Sequence, residues 1–296
     1  MAGWIRLGRV LEPAGGTLDR THVMLPTPFV LADRVRVYFA GCDEEMRGRI
    51  FAAEFAPEPP FALLEVWREP VMDLGGPGAF DCDGVNPSQV FSVDGELHLF
   101  YIGWRRGEAA EPYTLFAGHA VSPDDGRTFV SKGQLLQPVE GERLFRTAPR
   151  LTACDDGFRL LYIGGDRFID GPGGKRLPLY SLMGLRSSDP FSWRGPGEVL
   201  AAPDAAAGEI GFGRPVLFDA RLMISVRTAS GYELMEATEG EPSLKPVFQP
   251  PFEPWESQMR CFGAACRVGD HELLFYNGDG FGRTGLGLAY RPIPSS

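Results

Sequence analysis

Five stretches of this chain set polar side chains at the head of an apolar run, where a sheet would hand them to a ligand. His22, Met24 and Thr27 come before Pro28-Phe29-Val30-Leu31, and Asp81, Asp83 and Asn86 before Pro87-Ser88-Gln89-Val90. Arg146 and Arg150 stand at Pro149, Glu209 and Arg214 before Pro215-Val216-Leu217-Phe218, and Glu256, Gln258 and Arg260 before Gly263-Ala264-Ala265. Arg146 and Arg260 occupy corresponding places, and Arg214 sits one residue before its own run. Three guanidinium groups brought to one point repel unless anions lie between them. Asp83, Glu209 and Glu256 could supply the anions, or a ligand phosphate or carboxylate could, since the planar fork of Arg suits bidentate anion contacts. The plainer alternative is that these arginines are structural ion pairs. His22 adds an acid–base group that titrates near neutrality.

These stretches belong to a repeat. Each is followed by an aromatic run that ends in Gly in four of the five copies: Val37-Tyr38-Phe39-Ala40-Gly41, Leu99-Phe100-Tyr101-Ile102-Gly103, Leu161-Tyr162-Ile163-Gly164, Met223-Ile224-Ser225-Val226-Arg227 and Leu274-Phe275-Tyr276-Asn277-Gly278. Gly41, Gly103 and Gly164 recur about every 61 residues, a period too long for a β-sandwich to explain. Third strands are expected at Arg49–Phe55, Leu115–Val121, Tyr180–Arg186, Tyr232–Ala237 and Gly285–Tyr290. Fourth strands are expected at Ala62–Trp67, Gly133–Gln137, Glu198–Ala201 and Lys245–Phe248. The fifth copy lacks a fourth strand, and Gly8-Arg9-Val10-Leu11-Glu12-Pro13 matches Gly133-Gln134-Leu135-Leu136-Gln137-Pro138. The pattern predicts an all-β fold: one domain over residues 1–296, a five-bladed β-propeller whose ring is closed by the N-terminal strand completing the last blade. Closure leaves no open sheet edge.

In a propeller the loop after each second strand returns to the face where the innermost strands begin. That geometry adds a second set of candidates: Asp43, Glu44, Trp104, Arg105, Arg106, Asp166, Arg167, Arg227, Asp279 and Arg283. Ser122-Pro123-Asp124-Asp125-Gly126-Arg127-Thr128-Phe129 looks like an Asp-box turn, and Ser187-Ser188-Asp189-Pro190-Phe191-Ser192-Trp193 occupies the equivalent place one copy later. Both are expected to be structural, on the face away from the site. His98 and His119 are expected to pack within strands and His271 to be solvated in a turn. The Gly-rich Asp170–Lys175 segment fits no phosphate-loop spacing and reads as a loop tip.

Phe80-Asp81-Cys82-Asp83-Gly84-Val85-Asn86-Pro87, followed by Asp94-Gly95-Glu96-Leu97-His98-Leu99-Phe100-Tyr101-Ile102-Gly103, resembles the second blade of the five-bladed glycosidases. That group spans arabinanases, β-xylosidases, invertase-like enzymes and mannoside phosphorylases. The resemblance implies glycoside chemistry by two carboxylates flanking the scissile bond. It implies Asp83 as the blade-two carboxylate, with Asp81 second. The chain departs from the pattern elsewhere. His22-Val23-Met24-Leu25-Pro26-Thr27-Pro28 stands where a blade-one Asp is expected, and Arg146-Thr147-Ala148-Pro149 where a blade-three Glu is expected. Catalysis would then fall to Glu209 and Glu256, or be absent. The substrate-binding candidates are His22, Asn86, Trp104, Arg146, Arg214, Arg260 and Asp279, with Trp104 able to stack on a sugar ring.

Bulk properties exclude other classes. The formal charge is −10 with no basic block, which argues against a nucleic-acid partner. No run approaches a membrane span of about 18 apolar residues. The start leads straight into strand-like sequence with no secretory signal. Five cysteines with no CxxC suggest neither a disulfide framework nor a zinc site, and no cofactor is implied. A reduced, cytoplasmic setting is the expectation. Cys82, between two aspartates, is expected to be a poor nucleophile. Two readings follow: a glycoside hydrolase-like protein acting on a small-molecule carbohydrate that can be anionic, or a non-catalytic sugar- or nucleotide-sugar-binding propeller.

Overall fold

A computed structural model describes residues 3–218, 220–238 and 241–293. The chain is almost entirely β, arranged as five units of four antiparallel strands. The first unit runs Val23–Val30, Val35–Cys42, Gly48–Phe55 and Leu63–Val66. The second runs Gly84–Val93, Glu96–Arg106, Tyr113–Ser122 and Val130–Gln134. The third runs Phe145–Cys154, Gly157–Gly165, Ser181–Ser187 and Glu198–Ala201. The fourth runs Glu209–Phe218, Arg221–Thr228, Gly231–Thr238 and Glu241–Pro246. The fifth has Cys261–Val268, His271–Asn277 and Leu286–Pro292, and its fourth strand is the N-terminal Ile5–Leu11. Ile5 pairs with Tyr290 and Leu11 with Leu286, as the sequence match to residues 133–138 predicts.

Every residue of Val35–Cys42 and of Gly48–Phe55 is buried, which explains why both strands read as continuous runs rather than alternating ones. Their two faces meet different neighbours. Phe39, Phe51 and Phe55 pack with Leu273, Phe275 and Leu288 of the fifth unit. Tyr38, Ile50 and Ala52 pack with Val85, Leu99 and Tyr101 of the second. Further apolar clusters lie between units two and three, three and four, and four and five.

Two expectations about strand ends are corrected. The fourth strands of units two and four end at Gln134 and Pro246, before the apolar residues that suggested them. Leu136 and Phe248 leave the ladder to fill the core between units, at 0% and 4% exposure. His271 opens a strand and packs against Phe61 and Tyr290, with ring centroids 5.5 and 5.7 Å away, instead of lying in a solvated turn. His98 and His119 do pack within strands, Nδ1 to Nε2 at 3.0 Å, with Phe191 stacked on His119. The Gly-rich segment is the tip of a short hairpin, Phe168–Asp170 paired with Arg176–Pro178.

The Asp-box forms as read. The Asp124 carboxylate accepts from the Thr128 N–H and hydroxyl, and Ser122 Oγ accepts from the Gly126 N–H. The turn also ties unit two to unit one: Arg36 donates to the Asp125 carbonyl and Tyr38 to the Gly126 carbonyl.

A second recurring device holds the units. Asp81 accepts from Tyr101, Glu142 from Tyr162 and Glu256 from Tyr276, at 2.8, 2.6 and 2.8 Å, each pair twenty residues apart. The acid precedes an innermost strand and the tyrosine lies on the strand beside it. All three carboxylates are buried. Each phenolic hydroxyl is pushed above its usual pKa, chiefly by burial, and is a firm donor at neutral pH.

Candidate functional site

The innermost strands begin earlier than the sequence suggests, and each is interrupted by a bulge. The register slips between Met24 and Thr27, Pro87 and Gln89, Thr147 and Arg150, Gly213 and Val216, and Cys261 and Ala264. Prolines at 26, 87, 149 and 215 lack the N–H that an unbroken ladder needs, which is the local cause in four of the five. The bulges re-aim side chains and free backbone groups around a common cavity of about 620 Å³. Residues of all five units line it.

The cavity's lining is unevenly charged. Arg106, Arg214 and Arg227 belong to it, with one carboxylate, Glu45. That carboxylate lies 3.5 Å from the Arg47 guanidinium and is largely exposed. Arg214 is 2% exposed and has no carboxylate partner among the described residues. Instead it donates to the Pro26 and Ser88 carbonyls at 2.5 and 2.8 Å and to Thr27 Oγ1 at 2.8 Å, stitching three inner strands together. Burial, with the neighbouring Arg150, brings its pKa down to about 9, so it stays charged at neutral pH. Arg227 lies over the Tyr232 ring, 5.3 Å from its centroid, and makes no ion pair among the described residues. Arg106 lies over Trp104, 5.4 Å from the ring centroid, and donates to the Glu45 carbonyl.

Among the described residues, three buried polar atoms of the lining have no partner: Asn86 Oδ1, Thr147 Oγ1 and Arg214 Nε. Orphaned polar atoms are costly, and a cluster at one cavity marks a place where a ligand or water completes the bonding. Gly48 keeps this region open, since a Cβ there would come within 3.0 Å of Asn86 Oδ1. His22 is buried, with Nδ1 2.9 Å from Thr21 Oγ1. Burial first, then repulsion from Arg283, lowers its pKa, leaving it neutral at pH 7. The walls are aromatic: Trp104, Tyr113, Tyr180, Phe212, Tyr232 and Phe262. The hydroxyls of Tyr113 and Tyr180 lie 3.4 Å apart.

Of the residues picked from sequence, the structure brings His22, Met24, Asn86, Trp104, Arg106, Arg214 and Arg227 to this cavity. The convergence expected of Arg146, Arg214 and Arg260 is corrected, because of these only Arg214 is there. Arg146 is ion-paired with Glu142 at 3.0 Å and donates to the Gln137 and Gly195 carbonyls, while Arg260 pairs with Glu233. Asp81 and Glu256 are occupied in the tyrosine clips, and Glu256 also pairs with Arg6 at 2.6 Å. Glu209 accepts from the Asp204 N–H, within its own loop. Asp279 accepts from the Gln258 and Met259 N–H groups. Asp83 accepts from the Arg106 N–H at 2.9 Å and adjoins Gly84, which lines the cavity without Asp83 itself doing so. The Cys82 thiol is pushed up by burial and then by Asp83, as expected of a poor nucleophile.

Sequence reasoning missed Tyr113, Tyr180 and Tyr232. A signal was available: each stands at or beside the start of a third strand, on the same face as the inner-strand heads. Met46 and Phe281 on the rim had none, because loop backbone conformation puts them there.

No protein-family model matches the chain. Two Mycobacterium tuberculosis proteins, "Uncharacterized protein MT1551" and "Uncharacterized protein Rv1502", are each 26% identical over 301 residues, covering 97% of this chain and 98% of theirs. Among solved structures, one described as "Glycoside hydrolase" superposes with a TM-score of 0.67 at 15% identity, covering 98% of this chain and 93% of that one. A structure from work on the GH130 family of mannoside phosphorylases, which contains hydrolases of β-1,2-mannosidic linkages in Candida mannan, gives 0.70 at 12% identity, covering 100% and 97%. The GH43_1 enzyme from Xanthomonas citri complexed with xylose gives 0.61 at 17%, covering 97% and 91%. The resemblance to the propeller glycosidases and phosphorylases read from the second repeat is therefore present in the fold.

Proposed function

We propose that the five units form a closed five-bladed propeller, and that its central cavity binds a saccharide bearing an anionic group. The observation that carries this reading is the charge of the cavity. A chain of net charge −10 lines this cavity with three arginines against one carboxylate that is already near Arg47. Asn86, Thr147 and Arg214 Nε supply unmet hydrogen-bonding capacity for sugar hydroxyls, and Trp104 a ring face. The protein is glycoside hydrolase-like in fold, and the reading that its cavity supports is recognition rather than hydrolysis by paired carboxylates, since one lining carboxylate cannot serve as both acid and base partner. Hydrolysis keeps one supporting observation, the position of Asp83 beside Gly84. If Asp83 acts, Asp83→Asn abolishes sugar release and leaves the fold intact.

A thermal-shift panel tests the proposal. Uronic acid glycosides and sugar phosphates are expected to raise the Tm by several degrees at saturating concentration, the corresponding neutral sugars less, and none should release reducing sugar. Equal shifts for charged and neutral sugars, or none for any, would remove it.

A further inference from the structure

Among the described residues, nine that are not glycine have a positive φ, and five of these line the cavity: Leu25, Met46, Ala148, Phe262 and Phe281. All five are apolar. Left-handed backbone is unfavourable for such residues, and outliers that the fold itself does not require mark a functional segment. Leu25, Ala148 and Phe262 are bulge residues of inner strands. Met46 and Phe281 lie in loops of units one and five, with φ of 64° and 61°, and remain 42% and 39% exposed.

Their exposure is built in. Phe281 is flanked by Gly280 and Gly282, also left-handed, and a Cβ at Gly282 would run into the Val23 carbonyl oxygen. The loop is therefore wedged against unit one. It holds the Phe281 ring beside Phe262 and Tyr232, with centroids 6.4 and 6.0 Å away, without burying it. Met46 is set by a turn in which Asp43 Oδ1 accepts from the Glu45 and Arg47 N–H groups. Between the aromatic residues, Leu25, Ile102, Leu115 and Ile163 add aliphatic surface to the lining. A cavity of about 620 Å³ is of the size that holds a drug-sized ligand rather than a single small sugar ring.

We propose that the cavity takes an amphipathic glycoside, with the sugar against Asn86, Thr147 and Arg214 and an alkyl aglycone on the aliphatic lining, leaving past Met46 and Phe281. This inference rests on the saccharide reading above. The test titrates the methyl and n-octyl glycosides of one uronic acid calorimetrically, keeping the octyl compound below its micelle concentration. The octyl glycoside is expected to bind at least about tenfold more tightly. The double variant Met46→Gly with Phe281→Gly, in which glycine accepts the left-handed backbone, is expected to remove most of that difference. Equal affinity of the two glycosides overturns the inference and leaves the saccharide reading standing. Binding of neither overturns both. An octyl advantage unchanged in the double variant places the chain elsewhere and overturns the inference.

Discussion

Glu142→Ala is expected to destabilise the protein by about 3–5 kcal/mol, with a Tm lower by about 10 °C. The side chains of Glu142 and Arg146 are 4% and 2% exposed, and the pair is separated by 3.0 Å. Glu142 accepts from Arg146 Nε, from Tyr162 at 2.6 Å and from the Gly197 N–H at 2.8 Å. Alanine leaves a buried guanidinium facing two carbonyls and a phenol with no anion, and leaves two other donors unmet. Removing both charges is a different matter, because two groups are then spared desolvation. Glu142→Leu with Arg146→Met is expected to regain most of the loss. Urea denaturation of the three variants checks this, and a loss below about 1 kcal/mol for Glu142→Ala would mean that the clip is not structural.

Removing residues 4–12 is expected to abolish cooperative folding, a loss of more than about 5 kcal/mol and so of the order of a domain's whole stability. Ile5–Leu11 is the outer strand of the fifth unit, and Leu11 is buried among Val23, Phe275 and Leu288. Arg6 is the ion-pair partner of Glu256, itself 1% exposed, and the Trp4 ring lies 4.2 Å from the Arg291 guanidinium. The truncation thus opens a sheet edge, strands a buried carboxylate and uncovers apolar surface together. Size-exclusion chromatography with thermal melting would show an aggregating chain without a sharp transition. A truncated protein melting within a few degrees of the full chain would contradict the role given to this strand.

The fold was legible because its signals are local and repeated. Aromatic runs such as Leu99–Gly103 must be buried on both faces, and the match of residues 8–13 to 133–138 shows where the missing strand comes from. The site was legible only in part. Arg214, Asn86, His22, Trp104, Arg106 and Arg227 follow from strand order, since position in the repeat decides which face a residue meets. Arg146, Arg260 and Glu256 share those positions, yet other charges hold them: Glu142, four residues away, for Arg146, and the sequence-distant Glu233 and Arg6 for Arg260 and Glu256. Position gives the face but not the partner, and burial favours paired charges. Phe281 and Met46 escaped because their placement depends on backbone dihedrals that no residue type announces.

The central claim is that the cavity recognises a negative charge on a sugar through unpaired arginines. Calorimetry with the methyl glycoside of a uronic acid and that of its neutral parent sugar, on the native protein and on Arg227→Met, tests it. Arg227 is the choice because it is half-buried, makes no ion pair among the described residues and, unlike Arg214, bonds tyrosine side chains at the cavity, Tyr232 and Tyr113, rather than inner-strand carbonyls. One charge-assisted contact is worth about 1.5–3 kcal/mol, so the native protein should prefer the uronic acid by at least about tenfold. Arg227→Met should erase most of that preference while the neutral sugar binds as before. Equal affinities in the native protein, or a preference indifferent to Arg227→Met, would contradict the account.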